Sequence, residues 1–184
     1  GIAMNIAANR TKTEVADGGV VTGADDLTLS ASGTYVAVTK SEAGSSGGVS
    51  VTPALALSII NNKTTARLGT GNTQVVTGDV TVSAAQFAST TTEASGKAAG
   101  SKAAVGAALA LALVNDRALA TTARNITAAT GAVSFTAAGA SLSNLKAEAS
   151  AVGAAAAEDD GSATGGGDVD TTVTSSLTSG TDRQ

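Results

Sequence analysis

The strongest constraint on this chain is that it repeats itself. Asp26-Leu27-Thr28-Leu29-Ser30-Ala31 returns as Asp79-Val80-Thr81-Val82-Ser83-Ala84 and again as Ala132-Val133-Ser134-Phe135-Thr136-Ala137, with a spacing of 53 residues each time. A second set agrees: Ile2, Met4 and Ile6 recur as Leu55, Leu57 and Ile59 and then as Leu109, Leu111 and Leu113, at offsets of 53 and 54. Each copy is followed by a polar stretch with a basic residue in register, at Asn9-Arg10, Asn62-Lys63 and Asp116-Arg117. A third landmark, Glu42-Ala43, Glu93-Ala94 and Glu148-Ala149, is spaced by 51 and 55 residues, so connections drift while elements hold register. A unit repeated at fixed period buries its apolar face on the next copy, which makes the chain a stack.

Within each element the alternation has period two, with Leu27, Leu29 and Ala31 on one face and Thr28 and Ser30 on the other, which is the pattern of a strand. The apolar content is nearly all Ala, Val, Leu and Ile. With no Trp, one Tyr and two Phe, the chain lacks the large side chains that fill a broad globular core and calls for a narrow core repeated many times. The Ala-rich runs Ala103 to Leu113 and Ala147 to Ala157 have helix propensity, but the repeat partner of the first, Val49 to Ile60, carries β-branched residues and Pro53. Pro cannot donate to a ladder, so Pro53 is expected at a corner, dividing Val49 to Val51 from Ala54 to Ile60. The expected fold is all-β, a parallel β-helix or β-solenoid. It has about two rungs in each 53-residue repeat, one on the Leu55-type element and one on the Val80-type element. Leu27, Leu29, Val80, Val82, Val133 and Phe135 are expected to face inward, two rungs apart. Leu55, Leu57 and Ile59 face inward in the same reading. Their neighbours Ala54, Ala56 and Ser58 then form a small, uncharged outer face, with Ala3, Asn5 and Ala7 before them and Ala108, Ala110 and Ala112 after.

The organisation expected is repeat 1 over residues 1–48, truncated at its start, repeat 2 over 49–102 and repeat 3 over 103–150. A degenerate repeat with an acidic, Gly-rich loop and one last strand at Val169 to Leu177 fills 151–184. The net charge of -4 without a basic stripe argues against a nucleic-acid partner. The longest apolar run, Ala103 to Val114, is shorter than the roughly 20 residues a membrane-spanning helix needs. The first residues lack the pattern of a secretory signal and an initiator Met, so the chain is read as a piece of a longer protein.

Without His or Cys, the Ser-His and Cys-His nucleophile pairs are excluded, and no catalytic or cofactor-binding residue is expected. Asp159, Asp160, Asp168 and Asp170 beside Gly165-Gly166-Gly167 are the weak candidates for a metal, with calcium as the cation that oxygen ligands would hold. Their spacing matches neither the EF-hand nor the calcium-roll nonapeptide, and the solvated-loop reading is preferred. Asp25, Asp26 and Asp79 read as turn residues before strands, and Asn9, Asn61, Asn62 and Asn115 as corner residues. The triplets at Asn9, Asn62 and Asn125 fit the N-glycosylation pattern, which a Thr-rich chain produces by composition alone.

The alternating Ala/Leu/Ile strand, the Asn61-Asn62-Lys63-Thr64-Thr65 stretch, the Thr77-Gly78-Asp79-Val80-Thr81-Val82-Ser83-Ala84 strand and the Thr/Glu/Ala/Gly run after it resemble repeats of giant bacterial surface proteins, the filamentous haemagglutinin-like and leukotoxin-type adhesins. The resemblance covers residues 1–150 in three copies. It implies a β-helical rod exported to the cell surface, secreted or surface-attached, structural or adhesive rather than enzymatic. Its partners would be other copies, filament subunits, or a host or neighbouring-cell ligand. Two rival readings stay open. One is an ice- or mineral-binding face built from outward Thr28, Ser30, Thr81, Ser83, Ser134 and Thr136. The other is a polysaccharide-active β-helix using a carboxylate pair, for which only Tyr35, Phe87 and Phe135 offer stacking surfaces.

Overall fold

The computed structural model describes residues 1–153, all of whose regular structure is strand. The elements are β1 (Ile2–Val15), β2 (Leu27–Leu68), β3 (Gln74–Val76), β4 (Val80–Thr122), β5 (Ile126–Ala128) and β6 (Val133–Val152). All pairing is parallel. One sheet has the order β1-β2-β4-β6, and β3 pairs with β5 in a second. The Ala-rich run from Ala103 to Leu113 is strand, because every residue in it is laddered against residues 49–59.

The register explains the repeat. Ile2 pairs with Leu55, Leu27 with Val80 and Val80 with Val133, each a step of 53 residues. Beyond Gly47 the step becomes 54, as Val49 meets Ala103, and in the short second sheet it is 52, as Gln74 meets Ile126. Residues one full repeat apart are therefore direct hydrogen-bonded neighbours. The expectation of two rungs per repeat is corrected: no Val80-type strand intervenes between Ile2 and Leu55. The physical reason is the length of β2, 42 residues, which carries both kinds of element in one strand run.

β2 doubles back on itself at Gly47 and Gly48, and its two arms meet through side chains. Ser45 Oγ contacts Thr52 Oγ1 at 2.5 Å, Ser58 Oγ donates to Thr39 Oγ1 at 2.8 Å, and Tyr35 Oη contacts Thr64 Oγ1 at 3.1 Å. The space between the arms has two parts. At one end Leu27, Leu29, Ala31, Ala66, Leu68, Val76, Val80, Val82 and Ala84 form an aliphatic core. At the other only Ala54, Ala56 and Ala94 are buried together, with Ala43, Ala108 and Ala110 against them. The arms lie closest there: a Cβ on Gly96 would collide with the Ala107 and Thr52 carbonyl oxygens. Small side chains are the only ones this end admits.

That difference in gap inverts the expected faces of the Leu55-type strand. Ala54, Ala56 and Ser58 are buried, Ala56 completely, while Leu55 and Leu57 are half-buried and Ile59 is exposed. Every second residue from Ser50 through Thr64 to Leu68 is buried, so sending Leu68 into the thick end commits Leu55, Leu57 and Ile59 to the outside. The Val80-type strand follows expectation, with Leu27, Leu29, Val80 and Val82 buried. Val133 and Phe135 continue the same columns beside Val80 and Val82, and as members of the last described strand they keep 45% and 39% exposure. Pro53 lies inside continuous β2 rather than at a corner, at the point where β1 pairing begins, and its carbonyl accepts from the Gly1 amine at 2.7 Å.

Polar ladders link successive repeats. Asn9 Nδ2 donates to Asn62 Oδ1 at 2.8 Å and Asn62 Nδ2 to Asp116 Oδ1 at 2.7 Å. Asn62 is thus an inward mid-strand residue, not a corner residue, and its burial removes it as a glycosylation acceptor. Asp26 Oδ1 accepts the Asp79 backbone N–H at 2.7 Å and Asp79 Oδ1 that of Ala132 at 2.8 Å, so these turn carboxylates cap the following repeat. Gln74, fully buried, donates through Nε2 to the Val21 carbonyl at 2.6 Å.

Candidate interaction surface

The outer face of the Leu55-type arm is a grid of aliphatic side chains. Its rows are set by the ladder: Ile2, Leu55 and Leu109 stand side by side, then Met4, Leu57 and Leu111, then Ile6, Ile59 and Leu113. On β2 and β4 the grid extends through Pro53, Val51 and Val49 and their partners Ala107, Val105 and Ala103. Exposure is high for large apolar residues, at 81% for Ile2, 64% for Met4 and 58% for Leu109. No charged residue lies within these rows. A shallow depression in the grid is lined by Ile2, Pro53, Leu55, Ala107 and Leu109.

At one end the grid stops at a column of cations. Arg10, Lys63 and Arg117 are register partners on three adjacent strands, and none of them makes an ion pair among the described residues. Farther along the same face the charges compensate one another: Glu14 holds Lys12 at 2.5 Å and Arg67 at 2.9 Å, and Asp17 holds Arg67 at 2.9 Å.

The opposite outer face is different in kind. Thr28, Thr81 and Ser134 are adjacent in register, as are Ser30, Ser83 and Thr136, so the hydroxyl columns run across neighbouring strands without interruption. The next outward columns are Ser32, Ala85 and Ala138, then Thr34, Phe87 and Ala140. Beyond them Lys40 pairs with Glu93 at 2.8 Å and Lys146 with Glu148 at 2.6 Å, raising the pKa of both lysines through the carboxylates they donate to. This is an ordinary solvated sheet face.

Comparison with protein-family models, with curated proteins and with solved structures gave no match to this chain.

Of the aromatic residues, Tyr35 turns inward, where its hydroxyl donates to Thr11 Oγ1 at 2.8 Å. Phe135 shares the inward column of Leu29 and Val82, which leaves Phe87 as the outward one. Asp159, Asp160, Asp168 and Asp170 lie outside the described residues, as does the strand expected at Val169 to Leu177. Among the described residues no group of three acidic side chains is placed to hold a metal ion, and no helix is long and apolar enough to cross a membrane. The aliphatic grid was missed as a surface because hydrophobicity alone was used to choose the inward face. The signal that finds it is parity: Leu68 and Leu57 lie on opposite faces of one strand, so both cannot be buried.

Proposed function

We propose that this chain is a segment of a parallel β-solenoid with one coil per 53-residue repeat, and that it serves as a structural, adhesive rod segment of a secreted or cell-surface bacterial filament. The observation that carries the reading is the register, in which three sequence copies pair in parallel with a nearly constant step. Stacking of this kind has no intrinsic limit in one direction, so it suits a chain whose work is to span distance and present surfaces. The sequence resemblance to filamentous adhesin repeats points the same way. Other copies, filament subunits and a host or neighbouring-cell ligand are the partners such a rod would meet.

The test is made on the parent protein in its own cells. Antibody raised against residues 1–153 is expected to label intact bacteria, and deleting the repeats is expected to reduce attachment to surfaces or to other cells. Labelling that appears only after lysis, or attachment unchanged by the deletion, would overturn the proposal. A second reading, an ice- or mineral-binding face, is favoured by the unbroken hydroxyl columns at Thr28 and Ser30. Thermal hysteresis measured on the isolated chain decides it, since a freezing-point gap unchanged from buffer rules out ice binding.

A further inference from the structure

We infer that the aliphatic grid of Ile2, Met4, Leu55, Leu57, Leu109 and Leu111 is a pairing surface for a second copy of this chain, docked face to face on the same grid. The inference rests on the stacked-coil reading for its growth with repeat number. It does not rest on export or adhesion.

Three features of the grid select this occupant. Parallel sheets are normally covered on both faces, and here only the inner face is covered by the chain itself. The grid carries aliphatic side chains in straight rows with no charge among them, so a two-fold related copy meets it without like-charge contacts or stranded polar groups. The depression at Ile2, Pro53 and Leu109 offers a seat for an aliphatic side chain of the facing copy. The column at Arg10, Lys63 and Arg117 falls at the rim, where it stays solvated. The formal charge of the whole chain is -4, which disfavours an anionic lipid surface as the occupant instead.

Area sets the strength. With strands about 4.8 Å apart and about 3.3 Å per residue, the grid spans on the order of 400 Å². Two such faces cover on the order of 800 Å², just short of the roughly 1,000 Å² that a specific interface needs. Pairing of this segment is therefore weak, and each added coil strengthens it. The pairing of long rods follows from the same surface that leaves short pieces mostly apart.

Sedimentation velocity over a concentration series tests this with three proteins: residues 1–184, a chain carrying one duplicated repeat, and Leu57→Glu/Leu111→Glu. The first is expected to show reversible dimer at high concentration. The duplicated chain is expected to associate about tenfold more tightly or better, and the double variant about a hundredfold more weakly, since unpaired carboxylates would enter a dry interface. Val36→Glu/Val38→Glu, two exposed valines on the other face, leaves association unchanged. Because the chain has no Cys, Leu57→Cys supplies an independent check: it forms an intermolecular disulfide under mild oxidation, and Val38→Cys does not. Dimer that survives in the double variant, association lost equally in the Val36/Val38 variant, or monomer at every concentration even with the duplicated repeat would each overturn the inference. So would a monomeric chain that floats with phosphatidylglycerol vesicles, which would assign the face to lipid. A monomeric chain on intact cell surfaces would refute the pairing and leave the proposed function standing.

Discussion

Arg124 stands one 53-residue period after Gly71 and two after Gly18. Its guanidinium is buried and donates to the carbonyls of Gly69, Gly19, Ala16 and Thr70, two of which lie about two repeats earlier in the chain. The side chain thus fills the corner above the two glycines, and a Cβ on Gly71 would sit 3.3 Å from its guanidinium carbon. Truncating it strands those carbonyls in a buried corner without donors. Arg124→Ala is expected to lower stability by about 2–4 kcal/mol, and Arg124→Lys by only slightly less, because an ammonium cannot reproduce the planar fork. Urea unfolding checks this, and a midpoint unchanged in both variants would show that water replaces the guanidinium at no cost. In the aliphatic core, Val82 is fully buried between Leu29 and Phe135, and Val82→Asp is expected to cost about 3–5 kcal/mol by the same measurement.

Elements are joined by ladders that include charged groups at their margins. The Thr70 backbone N–H, and then the Arg67 guanidinium, hold the Asp17 carboxyl below its ordinary value, and Lys12 and then Arg67 do the same for Glu14. A carboxyl whose folded value is depressed contributes stability that is present above its unfolded value and is lost as pH falls through the folded one. The melting temperature is therefore expected to hold from neutral pH down to about 5 and to fall below about 4, where these carboxyls take up protons. Asp17→Asn is expected to melt lower than the parent at neutral pH and to lose less on acidification. An acid slope identical to the parent's would show that Asp17 is not among the groups responsible. The effect shrinks in salt, because Asp17 is largely exposed.

At the scale of the whole molecule, stability resides in nearest-neighbour stacking of repeats, so it grows with their number. Inserting a second copy of residues 27–79 after Asp79 keeps the 53-residue register on both sides of the insertion. The longer chain is expected to unfold at higher denaturant concentration and to gain about 4.8 Å in length by small-angle scattering, one strand spacing. A gain of about twice that would restore two rungs per repeat. Unchanged length with a bulged outline would show that the insert loops out.

The repeat period, strand character and narrow core were all legible in the chain itself, because copies at constant spacing and period-two alternation are local properties that stacking preserves. The columns Leu27-Val80 and Leu29-Val82 were legible as inward for the same reason: apolar and hydroxyl residues alternate there without ambiguity. Two matters were decided only by tertiary structure. One is the number of turns in a repeat, since a 53-residue period is compatible with one long coil or two short ones, and only the pairing of Ile2 with Leu55 distinguishes them. The other is which side of the Leu55-type strand is buried. Both sides are apolar, Ala54, Ala56 and Ile60 on one and Leu55, Leu57 and Ile59 on the other, so hydrophobicity does not choose between them. The close approach of the arms at Gly96 chooses, because a gap closed to within backbone contact admits Ala and Ser and excludes Leu.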